Sequence, residues 1–325
     1  LRLVRISRSF RPQAVAGWMY HGNLAATVAA LASPGRPRLT WNIRQSLYGL
    51  EHEKRGSALV IRLLARLSRR PDSILYNSRL SARAHEAAGY AAQKTRLVPN
   101  GFDLDRFTPD AAARAAVRAE LGLPADALLV GRFGRNAAMK DHPTGLAALA
   151  EVCAQRPEVH CLWAGTGLTA DEEPFAGFLR GHPELAARFH FLGERRDLPR
   201  LTAALDLALS CSAFGGGFPN VVGEAMACAV PVVATDVGDS AWVLGDAGRV
   251  VPAGDAAVIA RACLDLLAEP AERLRALGAA GRERIAAHFE IGHILEDYTH
   301  LLLPACDDTR DFSGLAAPAT LSSNS

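Results

Sequence analysis

A chain of 325 residues, 49% hydrophobic and 22% charged, has the composition of a soluble globular protein with room for two domains of ordinary size. Its 36 basic and 34 acidic residues leave a net charge of +2, which argues against a nucleic-acid-coating protein. No apolar run reaches the roughly 18 residues of a transmembrane helix, and no charged-then-apolar leader with a cleavage site opens the chain.

The opening, LRLVRISRSFRP, reads as the middle of an amphipathic helix, so the chain is expected to begin inside a domain. Arg2, Arg5, Arg8 and Arg11 recur every three residues there, beside Leu1, Leu3, Val4 and Ile6. A strand is expected at 14–18, a loop at Met19–Asn23 and an alanine-rich helix at 24–31, then a strand at 38–44. The stretch 57–70, SALVIRLLARLSRR, is a second basic amphipathic helix. Strand 73–76, helix 78–88 and strand 95–98 complete an alternation that implies a mainly parallel sheet with helices on its faces.

From 108 to 124 the composition shifts to a polar, alanine- and arginine-rich helix that suits a linker or a domain edge. The second domain is expected to run through strands 127–133, 159–164, 189–192 and 248–251 and helices 144–154, 256–267, 271–288 and 291–303. After Pro304 the residues turn polar and small, as in a disordered tail. Cys153, Cys161, Cys211, Cys228, Cys263 and Cys306 show no C-x-x-C spacing and sit mostly in apolar segments, as small core residues in a reducing compartment do.

The second domain is organised around residues 205–238. An apolar strand at 205–210 empties into Phe214-Gly215-Gly216-Gly217, and Phe218-Pro219-Asn220 restarts the chain as a helix over 221–228. A second apolar run at 231–235 closes a βαβ unit. A glycine-rich loop entering a helix N-terminus offers unpaired backbone N–H groups and a positive dipole end, which suit a phosphate. Glu224 is the one acid inside this otherwise apolar helix; it either pairs with a nearby arginine for stability or meets a ligand. Arg135 and Lys140 lie together in the polar loop 135–141 after the first strand of the domain, where two cations would suit a diphosphate or form a solvated basic loop. Gly165-Thr166-Gly167 lacks the third glycine of a dinucleotide fingerprint, which demotes a dehydrogenase. Strand-end loops of this composition place a ligand in a cleft between two doubly wound sheets.

In this order the pieces resemble the retaining, nucleotide-sugar-dependent glycosyltransferases of family four, especially those of polysaccharide and lipopolysaccharide assembly. Val98-Pro99-Asn100-Gly101-Phe102-Asp103 resembles the segment near the end of that family's first domain. Gly134-Arg135 with Lys140 resembles its basic diphosphate pair, for which Arg132 has the poorer spacing. Gly165-Thr166-Gly167 and Phe191-Leu192-Gly193 are similar to its loops near the nucleotide base. Gly217-Phe218-Pro219 with Glu224-Ala225-Met226-Ala227 resembles the second half of its E-x7-E signature. Gly216 stands where the first glutamate of that signature belongs, and Ala229 replaces a common glycine. The family's first strand, its acceptor-side glycine loop and the following helices have no counterpart, so the first domain is expected to be incomplete. Arg44-Gln45 occupies a place where many members carry a histidine, and His21 lies in the loop after an earlier strand as a catalytic candidate or an ordinary surface group.

The resemblance implies a GT-B fold: two Rossmann-like parallel-sheet domains, 1–108 on the acceptor side and 109–303 binding the nucleotide sugar, with a tail at 304–325. It implies transfer of a hexose, with retention, from a nucleoside-diphosphate sugar to a lipid-linked or polysaccharide acceptor, without a metal or other cofactor. Arg135, Lys140, Glu224 and His21 are then the catalytic candidates. Gly134, Gly165, Gly193, Gly216, Gly217, Phe218, Pro219 and Asn220 line the nucleotide-sugar site. A cytoplasmic protein, peripheral at an anionic membrane and without nucleic-acid partners, is the expected setting, and a degenerate nucleotide-sugar-binding protein is the alternative.

Overall fold

The computed structural model describes residues 2–47, 49–50, 53–215 and 217–303. Gly216, Cys306 and the expected tail at 304–325 lie outside the described residues. The chain divides into two compact units. The described residues of the first are those up to Asn77, Ala82–Val98 and 296–303; those of the second are Ser78–Ser81 and those within Pro99–Leu295. The division thus falls at Val98 and Pro99, where the composition suggested 108.

The first unit is built on four parallel strands in the order β1 (Ala14–Trp18), β2 (Arg38–Ile43), β3 (Ser73–Tyr76) and β4 (Thr95–Leu97). Helices α1 (Arg2–Phe10), α2 (Met19–Ala32), α3 (Arg55–Leu67) and α4 (Arg79–Ala87) alternate with them. Tyr20, Trp41, Ile43, Ile61, Leu64, Ile74, Tyr76 and Tyr90 form one buried cluster. The expected loop at Met19–Asn23 is instead the opening of α2. Packing overrides the turn propensity of Gly22-Asn23, because Asn23 is needed inside: its amide oxygen accepts from the Asn42 amide at 3.2 Å and its nitrogen donates to the Asn42 carbonyl at 3.3 Å. A Cβ on Gly17 would sit 2.5 Å from the Asn23 Cα, so only glycine lets α2 come this close to β1.

In the second unit the remaining helices are α5 (Ala111–Glu120), α6 (His142–Gln155), α7 (Phe175–Gly181), α8 (Leu198–Ala203), α9 (Asn220–Ala227), α10 (Ser240–Leu244), α11 (Ala256–Leu267), α12 (Ala271–His288) and the start of α13 (Ile291–Leu302). The strands are β5 (Leu128–Phe133), β6 (Val159–Ala164), β7 (Phe189–Phe191), β8 (Leu207–Ser210), β9 (Val232–Thr235) and β10 (Gly248–Val251). They form one parallel sheet in the order β10-β9-β8-β5-β6-β7. Both faces are covered, which explains why each strand reads as a nearly continuous apolar run. Leu146, Leu149, Val152, Ile259 and Leu266, from α6 and α11, pack with Val130, Trp163, Leu207 and Val233. Leu201, Val222, Met226 and Ile285, from α8, α9 and α12, pack with Leu129, Leu162 and Ala234.

The polar helix expected to be a linker is an integral part of this unit. Ala113 and Val117 of α5 are buried, and Arg114 and Arg118 both reach Asp206, at 2.5 and 3.3 Å. The five described cysteines are free and buried.

Helix α12 touches the turn after α9 so closely that a Cβ on Gly278 would lie 1.9 Å from the Ala229 carbonyl oxygen. Gly278→Ala should therefore lower the unfolding midpoint in urea. The displacement costs about 1–3 kcal/mol, which outweighs the gain in helix propensity of about 1 kcal/mol. A higher midpoint would show that α12 yields freely at this contact.

Candidate functional site

Strand β5 begins one run of neighbours, β6 and β7, while β8, β9 and β10 lie on its other side. The chain direction across the sheet reverses between β5 and β8, so the loops after these two strands open a crevice at their carboxyl ends, the place where parallel α/β sheets take ligands. Among the described residues, the sequence candidates of the second unit other than the buried Phe218 lie on these loops, their neighbours or α9.

Three glycine-bearing loops are laced together at one side of the crevice. The Gly134 amide donates to Ala164 O at 3.1 Å, Gly165 N to Gly193 O at 2.7 Å, and Asn136 N to Thr166 O at 2.8 Å. A Cβ on Gly165 would stand 1.5 Å from Gly134 O, and Gly165 holds φ at +148°, so no side chain fits there. Gly193 holds φ at +63°. The methylenes of Lys140 run over Gly134 at 3.7 Å from where its Cβ would be. The loop after β8 is tied to the same group through Ala213 N, which donates to Met139 O at 3.0 Å.

Arg135 is exposed and Lys140 half-buried. Burial lowers the Lys140 pKa from its ordinary value, and the charges of Arg132 and Arg135 lower it further. Among the described residues, neither cation nor Arg132 forms an ion pair with a carboxylate. The adjacent Asp141 is engaged as the N-cap of α6, its carboxylate accepting from Thr144 N at 3.4 Å.

Glu224 lies in α9, half-buried. Burial raises its pKa above the usual carboxylate value, with Arg106 acting in the opposite direction. Its carboxylate has no hydrogen-bond or ion-pair partner among the described residues, so the structural pairing open from sequence is not made there. Gly217 precedes α9, its carbonyl accepting from Asp239 N at 3.0 Å. Pro219 takes the N-cap position, and the exposed Asn220 side chain accepts from Asn100 Nδ2 at 2.5 Å.

Two sequence candidates stand elsewhere. Phe218 turns into the core, 8% exposed, with ring centroids of Phe289 at 5.7 Å and of Phe102 and Trp242 at 6.0 Å. It anchors the loop from beneath and offers no surface to a ligand. His21 belongs to the other unit, exposed in the first turn of α2 and not in a loop.

Sequence reasoning overlooked His142, and it ranked Arg132 below Arg135 by spacing without giving it a role of its own. Arg132 is 2% exposed, with its guanidinium carbon 5.0 Å from the Trp163 ring centroid. Its Nε donates to Cys211 Sγ at 3.0 Å, and Nη1 lies 2.6 Å from His142 Nδ1. Its Nη2 donates to the Lys140 carbonyl. The signal was present: an arginine inside the apolar run LLVGRF must find buried partners.

A two-unit parallel α/β protein, with a glycine-lined, cation-bearing crevice at the switch point of its second sheet, is of the class that binds nucleotides and nucleotide sugars. Residues 124–269 match the family described as Glycosyl transferases group 1, and residues 1–106 match Glycosyltransferase Family 4. The chain is 31% identical over 274 residues to the GDP-mannose-dependent alpha-(1-6)-phosphatidylinositol monomannoside mannosyltransferase of Mycolicibacterium smegmatis, a match covering 79% of this chain and 69% of that one. Over 250 residues it is 28% identical to the corresponding monoacylated-substrate mannosyltransferase of Corynebacterium glutamicum, covering 74% of this chain and 64% of that one. The Anabaena HepE structure in complex with UDP superposes with a TM-score of 0.79 at 24% identity, covering 93% of this chain and 80% of that one. The chain belongs to the group 1 and family 4 glycosyltransferases, and its fold class is GT-B. It spans just under two thirds of the length of the Corynebacterium relative.

Burial and the neighbouring Arg132 press the His142 pKa down to about 4, and burial with the neighbouring His160 does the same to His190. Each imidazole takes up a proton near pH 6.5 in the unfolded chain. Between about pH 6.5 and 4 the unfolded chain therefore binds protons that the folded chain refuses, and stability falls as pH falls, by up to about 1.4 kcal/mol per pH unit for each group. Carboxylates held low, such as Asp197 beside Arg195, add to the fall only below about pH 5. Urea midpoints from pH 7 to 4.5 should drop for the wild type and drop less for a His142→Gln/His190→Gln variant. Parallel curves would remove both groups from the account.

Proposed function

We propose that the chain binds a nucleoside-diphosphate hexose in the second unit and transfers the hexose, with retention of configuration, to a lipid-linked or polysaccharide acceptor. One observation carries this reading: cations without carboxylate partners and a half-buried, unpartnered Glu224 occupy the loops and the helix around one switch-point crevice. Isolated buried charge is costly, so its retention at a ligand-binding edge favours a partner supplied by the ligand.

In this reading Arg135 and Lys140 hold the diphosphate and neutralise the charge that builds on it as the sugar leaves. Fixed cations do this better than water, which must reorganise during the reaction. The N-terminus of α9 adds amides that have no intrahelical acceptor. Glu224 accepts from the ribose hydroxyls, whose donors match its free lone pairs. The charge chemistry is assigned to side chains, with no metal ion in the scheme. The two mannosyltransferase relatives are GDP-mannose-dependent and the HepE complex contains UDP, so either base is a reasonable probe.

The acceptor reading agrees with the surface of the first unit. Leu3, Ile6 and Phe10 of α1 are 44%, 50% and 77% exposed, next to Arg2 and Arg5, and Leu59 and Leu63 of α3 are exposed near Arg62 and Arg66. Only part of each helix's apolar surface is therefore used in packing. No helix among the described residues is long and apolar enough to cross a membrane. Basic, half-apolar helices of this kind suit reversible binding at an anionic interface, the inner face of a cell membrane in this reading.

Calorimetry with UDP, GDP and their nucleosides tests the site. Glu224→Ala should weaken both the diphosphates and the nucleosides by about 1.5–3 kcal/mol, the range for a hydrogen bond to a charged group. Arg135→Ala and Lys140→Ala should weaken the diphosphates far more than the nucleosides, because their partner is phosphate charge. Equal losses for both ligands in the cation variants would discard the diphosphate assignment.

Flotation with anionic liposomes tests the acceptor side: the protein should float at low salt and be released at high salt. Recovery in the lipid-free fraction at low salt would remove the membrane from the reading.

A further inference from the structure

We propose that Arg132 and His142 form a buried clamp that sets the backbone of the cation-bearing loop. They act through Arg135 and Lys140 and do not touch the ligand; the proposal rests on the diphosphate reading of those two residues. Strand alternation puts Arg132 on the α6 face of the sheet with Val130, and its guanidinium is closed off from the crevice.

The hydrogen bonds define one arrangement of protons. A guanidinium only donates, so His142 Nδ1 must accept from Arg132 at 2.6 Å and the proton sits on Nε2. Nε2 then donates to the Arg135 carbonyl at 3.0 Å. Arg132 Nη2 donates to the carbonyl of Lys140. The carbonyls of both residues whose side chains are proposed to grip phosphate are thereby turned toward the buried pair. Asp141 locks the exit of the loop, holding φ at +48° while capping α6.

This orientation has an electrostatic consequence. A peptide carbonyl carries the negative end of its dipole, and a loop free to rotate would present that end to an incoming diphosphate. Holding the two carbonyls inward keeps the negative ends away and places a third positive charge, that of Arg132, behind the loop that carries Arg135 and Lys140. Such preorganisation explains why an arginine is kept in a core without a carboxylate, an arrangement that stability alone disfavours.

Binding of UDP and uridine, and of GDP and guanosine, to single and combined variants tests the clamp. His142→Leu removes both bonds and should lower diphosphate affinity about tenfold, the size expected for one lost bond to a charged group, and leave nucleoside affinity unchanged. His142→Gln can accept with Oε1 and donate with Nε2, so it should recover most of that loss. In an Arg135→Ala/Lys140→Ala background, His142→Leu should cost nothing further. If His142→Leu does not fold, Arg132→Lys replaces it: the charge stays but the fork that reaches three partners is lost, and the same selective loss is expected. Unchanged diphosphate affinity in a folded variant, or equal losses for nucleoside and diphosphate, would overturn the clamp. If Arg135→Ala and Lys140→Ala leave the diphosphates unaffected, the underlying assignment fails and the clamp with it; if only the clamp variants are silent, the assignment stands alone.

Discussion

Positive charge gathered without compensation at the carboxyl edge of a sheet is the constraint on which the second unit depends. Arg132, Arg135 and Lys140 stand within one strand and its following loop, and none has a carboxylate partner among the described residues. Burial lowers the pKa of Lys140, and the charges of Arg132 and Arg135 lower it further. The fold tolerates this because surrounding groups share the load of Arg132: Trp163 offers a ring face, Cys211 a sulfur, His142 a ring nitrogen and Lys140 its main-chain carbonyl. The loops after β5, β6 and β7 then close on one another through main-chain hydrogen bonds, at a contact where Gly165 admits no side chain.

The same edge carries the one acid of α9. Glu224 and the cations have opposite needs, a donor-rich partner for one and an anion for the others. A nucleoside diphosphate meets both, with ribose hydroxyls at one end and phosphates at the other. The aromatic layer beneath, Phe102, Phe218, Trp242 and Phe289, supports the entry to α9 from the core side. The crevice is thus polar above and apolar below, with Phe218 as the division between them.

Much of the fold was legible because buried parallel strands leave a strong mark. Residues 159–164, leading into Gly165-Thr166-Gly167, and residues 248–251 were read as strands and are strands with those bounds. The helices α7, α8 and α10 were missed, since five to seven residues are too few for a helical period to declare itself. Gly22-Asn23 read as a turn because local propensity cannot register that Asn23 pairs with Asn42 across the unit. Within the candidate site, Arg135, Lys140 and Glu224 were visible as charged residues in telling places. The position of Phe218 was not visible, because the rings enclosing it come from distant parts of the chain. Arg132 was set aside as a diphosphate ligand by its spacing, but spacing alone could not show that His142 and Cys211 converge on it.

Hydrogen exchange in the presence of UDP or GDP tests the central claim, that the switch-point crevice of the second unit is the nucleotide site, without altering any residue. Bound nucleotide should slow exchange in the 134–141 loop and in the first turn of α9, segments far apart in the sequence, while the amino ends of β5 and β8 stay unchanged. Failure of either nucleotide to bind, or binding that leaves both segments exchanging at their free rates, would contradict the account.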